Sequence, residues 1–264
     1  MAESTPVRRR QVPAVTRAVA ILRQLGKSPE PVGVNQLARE LSLVPSTCLH
    51  ILRVLTEEGL VSFDSNTKRY AIDVGILPIA RSAIRRNGFA TLIEPRLTRL
   101  SRDFGVTAVA TQLADSDHMV VVALSDASLP FRLQVDLGSR FPALISATGR
   151  CHAAFNLGGL SEAELRARFA KLSWDDPPEY EDWRQDVEDS RRDGYAIDRG
   201  SYIGGVSILA VPFLNRSACM THSIVAIGIS DRIASLGIPS IVDAMQRVRD
   251  EVDDLLIGPS VDGG

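Results

Sequence analysis

The stretch NQLARELSLVPSTCLHILRVLTEEG, from Asn35 to Gly59, constrains the fold more than any other part of the chain. Leu37, Ala38 and Leu41 recur three to four residues apart, which gives a first helix one apolar face, with Asn35 placed to cap it. Ser42 to Val44 break the pattern. Pro45 suits the opening turn of a second helix, where its missing N–H has no partner to lose, and Cys48, Ile51, Leu52 and Leu55 form the buried stripe. Ser46, Thr47, His50 and Arg53 are left outside. Small hydroxyls at a helix N-terminus, followed by longer hydrogen-bonding side chains, suit a helix laid end-on into a DNA major groove. An ordinary helical hairpin would carry the same apolar pattern.

What flanks this pair decides between the two. Before it, Val15, Ala18, Val19, Leu22 and Leu25 recur at helical spacing, Gly26 closes that helix, and SPEPVG reads as a turn. After Gly59 the period drops to two: Leu60 to Phe63 and Arg69 to Ile72 are strand-like runs joined by the polar loop Asp64 to Lys68. Three helices and a hairpin tipped by Lys68 and Arg69 make a winged helix-turn-helix, in which the wing cations lie against the phosphate backbone. Charge supports this. Residues 1–86 carry 13 Lys and Arg against 7 Asp and Glu, a net of +6, whereas the remainder carries 17 against 25. A basic head favours a polyanion through counterion release. A protein-interaction module on the same scaffold would show no salt-sensitive DNA binding.

Residues 1–12, with Arg8 to Arg10, read as a disordered basic arm, 13–73 as the DNA-binding head, and 74–88 as a linker helix over Ile76 to Arg86 with Pro78 in its first turn. The body, 89–257, mixes strand and helix patterns and ends in a disordered tail at 258–264. Its helices are expected from Pro95 to Phe104, from Ser146 to Leu157, from Ser161 to Leu172 with a capping box of Ser161 and Glu164, over Asp182 to Arg192, and over Ile238 to Leu256. Strands are expected over Val106 to Leu113, His118 to Leu124, Phe131 to Asp136, Ile208 to Phe213 and Ile224 to Ser230, with Gly138 to Pro142 a loop. The fold class is therefore α+β.

At 264 residues with 45% hydrophobic and 23% charged residues, the chain has the composition of a globular protein with no membrane-spanning run, and the cytoplasm is its expected compartment. Cys48, Cys151 and Cys219 are odd in number and far apart, which fits reduced thiols. An enzyme on the body would have to use Cys151-His152 or the Cys219 and His222 pair as nucleophile or metal ligands, and no base with an orienting partner accompanies either. Neither a metal nor a cofactor is expected.

The order of elements resembles the IclR family of bacterial transcriptional regulators, through AVTRAVAILRQL, NQLARELSL and PSTCLHILRVLTEEGLV in the head and GSRFPALISATGR and DGYAIDRGSYIGGVSILAVPF in the body. The resemblance implies a homodimer or tetramer that binds a pseudo-palindromic double-stranded DNA operator, and a GAF-like antiparallel sheet domain, flanked by helices, that binds a small organic acid. Carried over by position, Ala147, Thr148, Gly149, Asp198 and Ser230 would line the effector pocket. Backbone N–H groups at the start of the helix after Ser146 suit a carboxylate. The chain departs from the family in having Ser201 and Ile208 where a glutamate and a cysteine are usual, and Gly228 beside Ser230 where two serines often stand. A more apolar pocket of this kind favours an aromatic or alicyclic acid over a very small one, with Tyr202 as a further lining residue.

Overall fold

The computed structural model describes residues 12–80, 88–127 and 135–257, which fall into two compact units, 1–86 and 87–264. The basic arm but for Val12, the tail, the end of the linker helix with Arg81, Arg85 and Arg86, and most of the strand expected over Phe131 to Asp136 lie outside the described residues.

The first unit holds α1 (Pro13–Lys27), β1 (Val32–Gly33), α2 (Val34–Glu40), α3 (Pro45–Glu57), β2 (Val61–Asp64) and β3 (Arg69–Ile72). Its core forms where Ile21 and Leu25 of α1, Leu37 of α2, Cys48 and Leu52 of α3, and Tyr70 of β3 meet. Ile51 is only half-buried, so the stripe of α3 is narrower than its spacing predicted. Asn35 does not cap α2: the cap position is Gly33, with no side-chain bond. The reason is β1, inside what read as a plain turn. Val32 and Gly33 pair antiparallel with Tyr70 and Arg69, so sheet pairing sets where α2 begins. The turn into α3 is tight, with Ser42 at φ 52° and the Leu43 N–H donating to the Ala38 carbonyl at 2.8 Å. Beyond β3, a 3-10 turn (Val74–Ile76) capped by Asp73 leads into helix at 77–80.

The second unit begins with α4 (Gly88–Phe104). Pro95 lies inside this helix and does not open it. A proline in a helix interior forfeits a hydrogen bond and costs about 3 kcal/mol. Phe89 and Ile93, 6% and 0% exposed, lie in the turns before it, and burying each is worth about 1.5–3 kcal/mol, so packing outweighs the defect. The Arg96 guanidinium also donates to the Leu92 carbonyl at 2.7 Å.

Six strands follow: β4 (Thr107–Asp115), β5 (His118–Leu124), β6 (Arg140–Pro142), β7 (Ala196–Arg199), β8 (Val206–Leu214) and β9 (Met220–Ile229). They form one antiparallel sheet in the order β6-β5-β4-β9-β8-β7. Two strands were not foreseen: β7, and β6 within the expected loop from Gly138 to Pro142. The helices between and after them are α5 (Ser146–Asn156), α6 (Glu162–Phe169), α7 (Tyr180–Asp193), α8 (Ser230–Leu236) and α9 (Ile238–Ile257). The capping box of Ser161 and Glu164 is present on α6, and Gly194, at φ 74°, stops α7.

Alternation along the strands gives the sheet two apolar faces. Ala108, Ala110, Leu209, Val211, Ile224 and Ala226 pack with Ile93 and Leu97 of α4 and with Met245 and Val248 of α9. Val109, Val121, Ile208, Val225 and Ile227 point the other way, toward Ala147 and Cys151 of α5. Among the described residues no helix is long and apolar enough to cross a membrane.

Candidate effector cavity and recognition helix

On the α5 face of the sheet lies a cavity of about 250 Å³. Among the described residues its walls are Val109, Thr111 and Val121 from β4 and β5, Ile208, Val225 and Ile227 from β8 and β9, Val135, Ser139, Arg140 and Phe141, the start of α5 at Ser146 and Thr148, and Tyr202 with Ile203. The volume falls just below the roughly 300 Å³ at which pockets for drug-sized ligands begin, which is room for a small molecule.

Ser146 borders this cavity at the start of α5. It opens α5 in the left-handed region, φ 63°, a conformation that costs a side-chain-bearing residue about 1–3 kcal/mol and clusters at functional sites. The residue is 4% exposed and its Oγ has no hydrogen-bond partner among the described residues, although it borders the cavity. Burying a hydroxyl without a partner costs about 1–3 kcal/mol. Both costs sit at a helix N-terminus, where N–H groups and the helix dipole favour an anion.

Of the five residues expected to line the pocket, the structure places Thr148 in the wall and the other four elsewhere. Ala147 packs into the apolar layer between α5 and the sheet. Gly149 fits α5 against the loop before it, for a Cβ there would overlap the carbonyl carbon and oxygen of Leu144. Asp198 is fully buried and occupied: Oδ2 accepts from Arg150 at 3.0 Å, and Oδ1 from the N–H groups of Gly200 at 3.1 Å and Tyr202 at 3.2 Å. Arg150, 3% exposed at its side chain, also binds Asp186 at 2.8 Å. Asp198 thus positions the segment that carries Tyr202 and Ile203 to the cavity. Ser230 starts α8 and accepts from Ser207, which lies on the α4 and α9 side of the sheet. Gly228 faces that side too, against Ile233 and Val106. The residues of β9 that do face the cavity, Val225 and Ile227, were not named, because Ser230 was carried over by position from the family resemblance and nothing in the sequence decides which face of the strand lines the cavity. Pairing of Val225 with Ala210 and Ile227 with Ile208 fixes that face.

Two of the three thiols, Cys48 and Cys151, are packed in the cores of their units. Cys151 is fully buried, donates to the Ala210 carbonyl, and burial pushes its pKa up to about 12, so it stays a protonated thiol. Cys219 bonds the Ser217 carbonyl, while the His222 ring stacks on Phe89 at 4.1 Å. Among the described residues no three His, Cys, Asp or Glu side chains group as a metal site.

His222 and His152 are both held neutral, each with its pKa lowered to about 4, chiefly by burial. Arg168 near His152 adds to the depression and Asp117 opposes it. The unfolded rings titrate near 6.5, so the unfolded chain binds more protons between pH 6.5 and 4. Stability is therefore expected to be full above pH 6.5, to fall as pH drops toward 4, and to level off below in this contribution, by up to about 3 kcal/mol for each ring. Urea melts from pH 7.5 to 4 check this, and His152→Leu should flatten the slope.

In the first unit, Ser46, His50 and Arg53 are exposed on α3 and Thr47 is half-buried. Arg53 lies close enough to Tyr70 to oppose the rise that burial imposes on the phenol's pKa. Each wing cation is tethered. The Lys68 ammonium sits 5.9 Å from the centre of the Phe63 ring, and Arg69 donates to the Pro31 carbonyl at 3.0 Å.

A winged three-helix unit followed by a sheet unit with a small-ligand cavity defines the class of ligand-binding transcriptional regulators. The family model for the IclR helix-turn-helix domain matches residues 14–65, and that for the bacterial transcriptional regulator IclR C-terminal domain matches residues 81–254. The chain belongs to the IclR family, whose members are DNA-binding transcriptional regulators with a C-terminal ligand-binding domain. It is 25% identical to the HTH-type transcriptional repressor AllR of Escherichia coli (strain K12), over 96% of this chain and 92% of that protein. It shares its fold with an IclR transcriptional regulator from Alicyclobacillus acidocaldarius, at TM-score 0.79 and 24% identity over 92% of this chain and 98% of that one. It likewise shares it with an IclR homolog from Microbacterium hydrocarbonoxydans solved in complex with 4-hydroxybenzoate, at TM-score 0.71 and 14% identity over 93% and 100%.

Proposed function

We propose that this regulator controls a catabolic operon in the cytoplasm in response to a small aromatic or alicyclic carboxylic acid held in the cavity at the start of α5. The observation that carries the reading is the buried Ser146 hydroxyl, without a partner among the described residues, at a helix N-terminus and set in walls otherwise dominated by Val, Ile and Phe side chains. A carboxylate there supplies the missing partner and meets the helix dipole, while a ring fills the apolar space. The 4-hydroxybenzoate bound by the Microbacterium hydrocarbonoxydans protein is a ligand of that chemistry.

In this reading the chain works as a homodimer or tetramer on a pseudo-palindromic operator. Ser46, Thr47, His50 and Arg53 of α3 meet base edges or phosphates, and Lys68 and Arg69 of the wing take the backbone. Effector binding acts on the heads through the linker at 74–88, which requires unequal effector affinity for the DNA-bound and free states. Arg53→Ala is expected to weaken operator binding by about 1–3 kcal/mol with the oligomer and melting temperature unchanged. Fluorescence anisotropy on operator DNA reads this directly, and equal affinity would remove Arg53 from the interface. Benzoate should raise the melting temperature of the wild type by mass action.

A further inference from the structure

Thr111 and Ser223 face each other across β4 and β9, with their hydroxyl oxygens 2.7 Å apart. They are 1% and 0% exposed, on the same side of the sheet as Val109, Val225 and Ile227. Two hydroxyls bring two protons, and only one is spent between them. Among the described residues the second has no acceptor. A sheet face that needed only packing would be served by valine and alanine at these positions without the desolvation of two polar groups. Thr111 borders the cavity and Ser223 does not, so Ser223 stands behind Thr111 and fixes the direction of its hydroxyl. Asp198, which lies outside the cavity wall, is spent on Arg150 and two backbone N–H groups.

We infer that Thr111, oriented by Ser223, reads a hydroxyl substituent on the effector, which makes the ligand class a hydroxylated aromatic or alicyclic carboxylic acid. The inference rests on the cavity being an acid-binding site, with the carboxylate at Ser146 and the ring between the two polar ends. With Ser223 donating to Thr111, the Thr111 proton goes to the ligand hydroxyl oxygen, which completes the hydrogen bonding of the pair.

The test uses the full chain, with benzoate, 3-hydroxybenzoate and 4-hydroxybenzoate as probes in melting and calorimetric titrations. The wild type is expected to prefer at least one hydroxylated acid by roughly three- to tenfold, the range of one net hydrogen bond. In the double variant Thr111→Val with Ser223→Ala, which removes both hydroxyls and leaves no orphan, that ratio should fall to near one. A wild type that binds benzoate without preference, or a preference that survives in the double variant, overturns the inference and leaves the acid site standing. If none of the three acids binds a wild type that still binds its operator, the aromatic-acid reading and this inference fail together.

Discussion

Replacing Asp198 by alanine is expected to destabilise the second unit by about 3–5 kcal/mol, the cost of leaving one member of a buried ion pair without its partner. Arg150 is 3% exposed; among the described residues it would keep Asp186, a half-exposed carboxylate, and the Trp174 ring 6.0 Å away. The N–H groups of Gly200 and Tyr202 would lose their acceptor in the same step. Effector response should disappear with the positioning of Tyr202, by loosening a cavity wall and not by deleting a ligand contact. Asp198→Asn separates the two effects: it keeps an oxygen for the N–H groups and removes the charge, so it should recover part of the binding and less of the stability. Chemical denaturation with effector titration on both variants checks this. A loss below about 1 kcal/mol for Asp198→Ala, with binding abolished, would restore Asp198 as a direct ligand contact.

Gly149→Ala is the second large effect, and here two physical terms oppose each other. Helix propensity alone expects alanine to stabilise α5 by about 1 kcal/mol. The new Cβ, however, would collide with the Leu144 carbonyl. Backbone cannot give as a flexible side chain can, and this backbone is tied by the Ile145 N–H to the Pro142 carbonyl and the Gly149 N–H to the Ile145 carbonyl. The clash should win, with a net loss of about 3 kcal/mol or more. Ser146 and Thr148 flank the site, so weakened effector binding should accompany the lower melting temperature. A variant at least as stable as the wild type would show that the loop can retreat from α5.

Much of the head was legible because its signals are local. Pro45, the spacing of Cys48, Leu52 and Leu55, and the change of period after Gly59 each act within a few residues, and the helices and wing form where they point. Asn35 misled for a non-local reason: β1 pairs with a strand more than thirty residues away, and that pairing sets the entry to α2. Pro95 misled in the same way, since the residues that outweigh it, Phe89 and Ile93, gain their energy from contacts with the sheet and α9.

The cavity divides along the same line. The sequence by itself determined the two-unit order, the family, and the small-residue run that begins α5, because composition, period and motif order are properties of the chain. It did not determine which side chains face the ligand. Neighbouring residues of a strand point to opposite faces, and positional carry-over alone did not say which face lines the cavity, so Ser230 was named and Val225 and Ile227 were not. Nor could it show that Asp198 is spent on Arg150, forty-eight residues earlier, that the Ser146 hydroxyl has no partner among the described residues, or that Thr111 meets Ser223. Those facts depend on which partners the tertiary structure brings within hydrogen-bond distance.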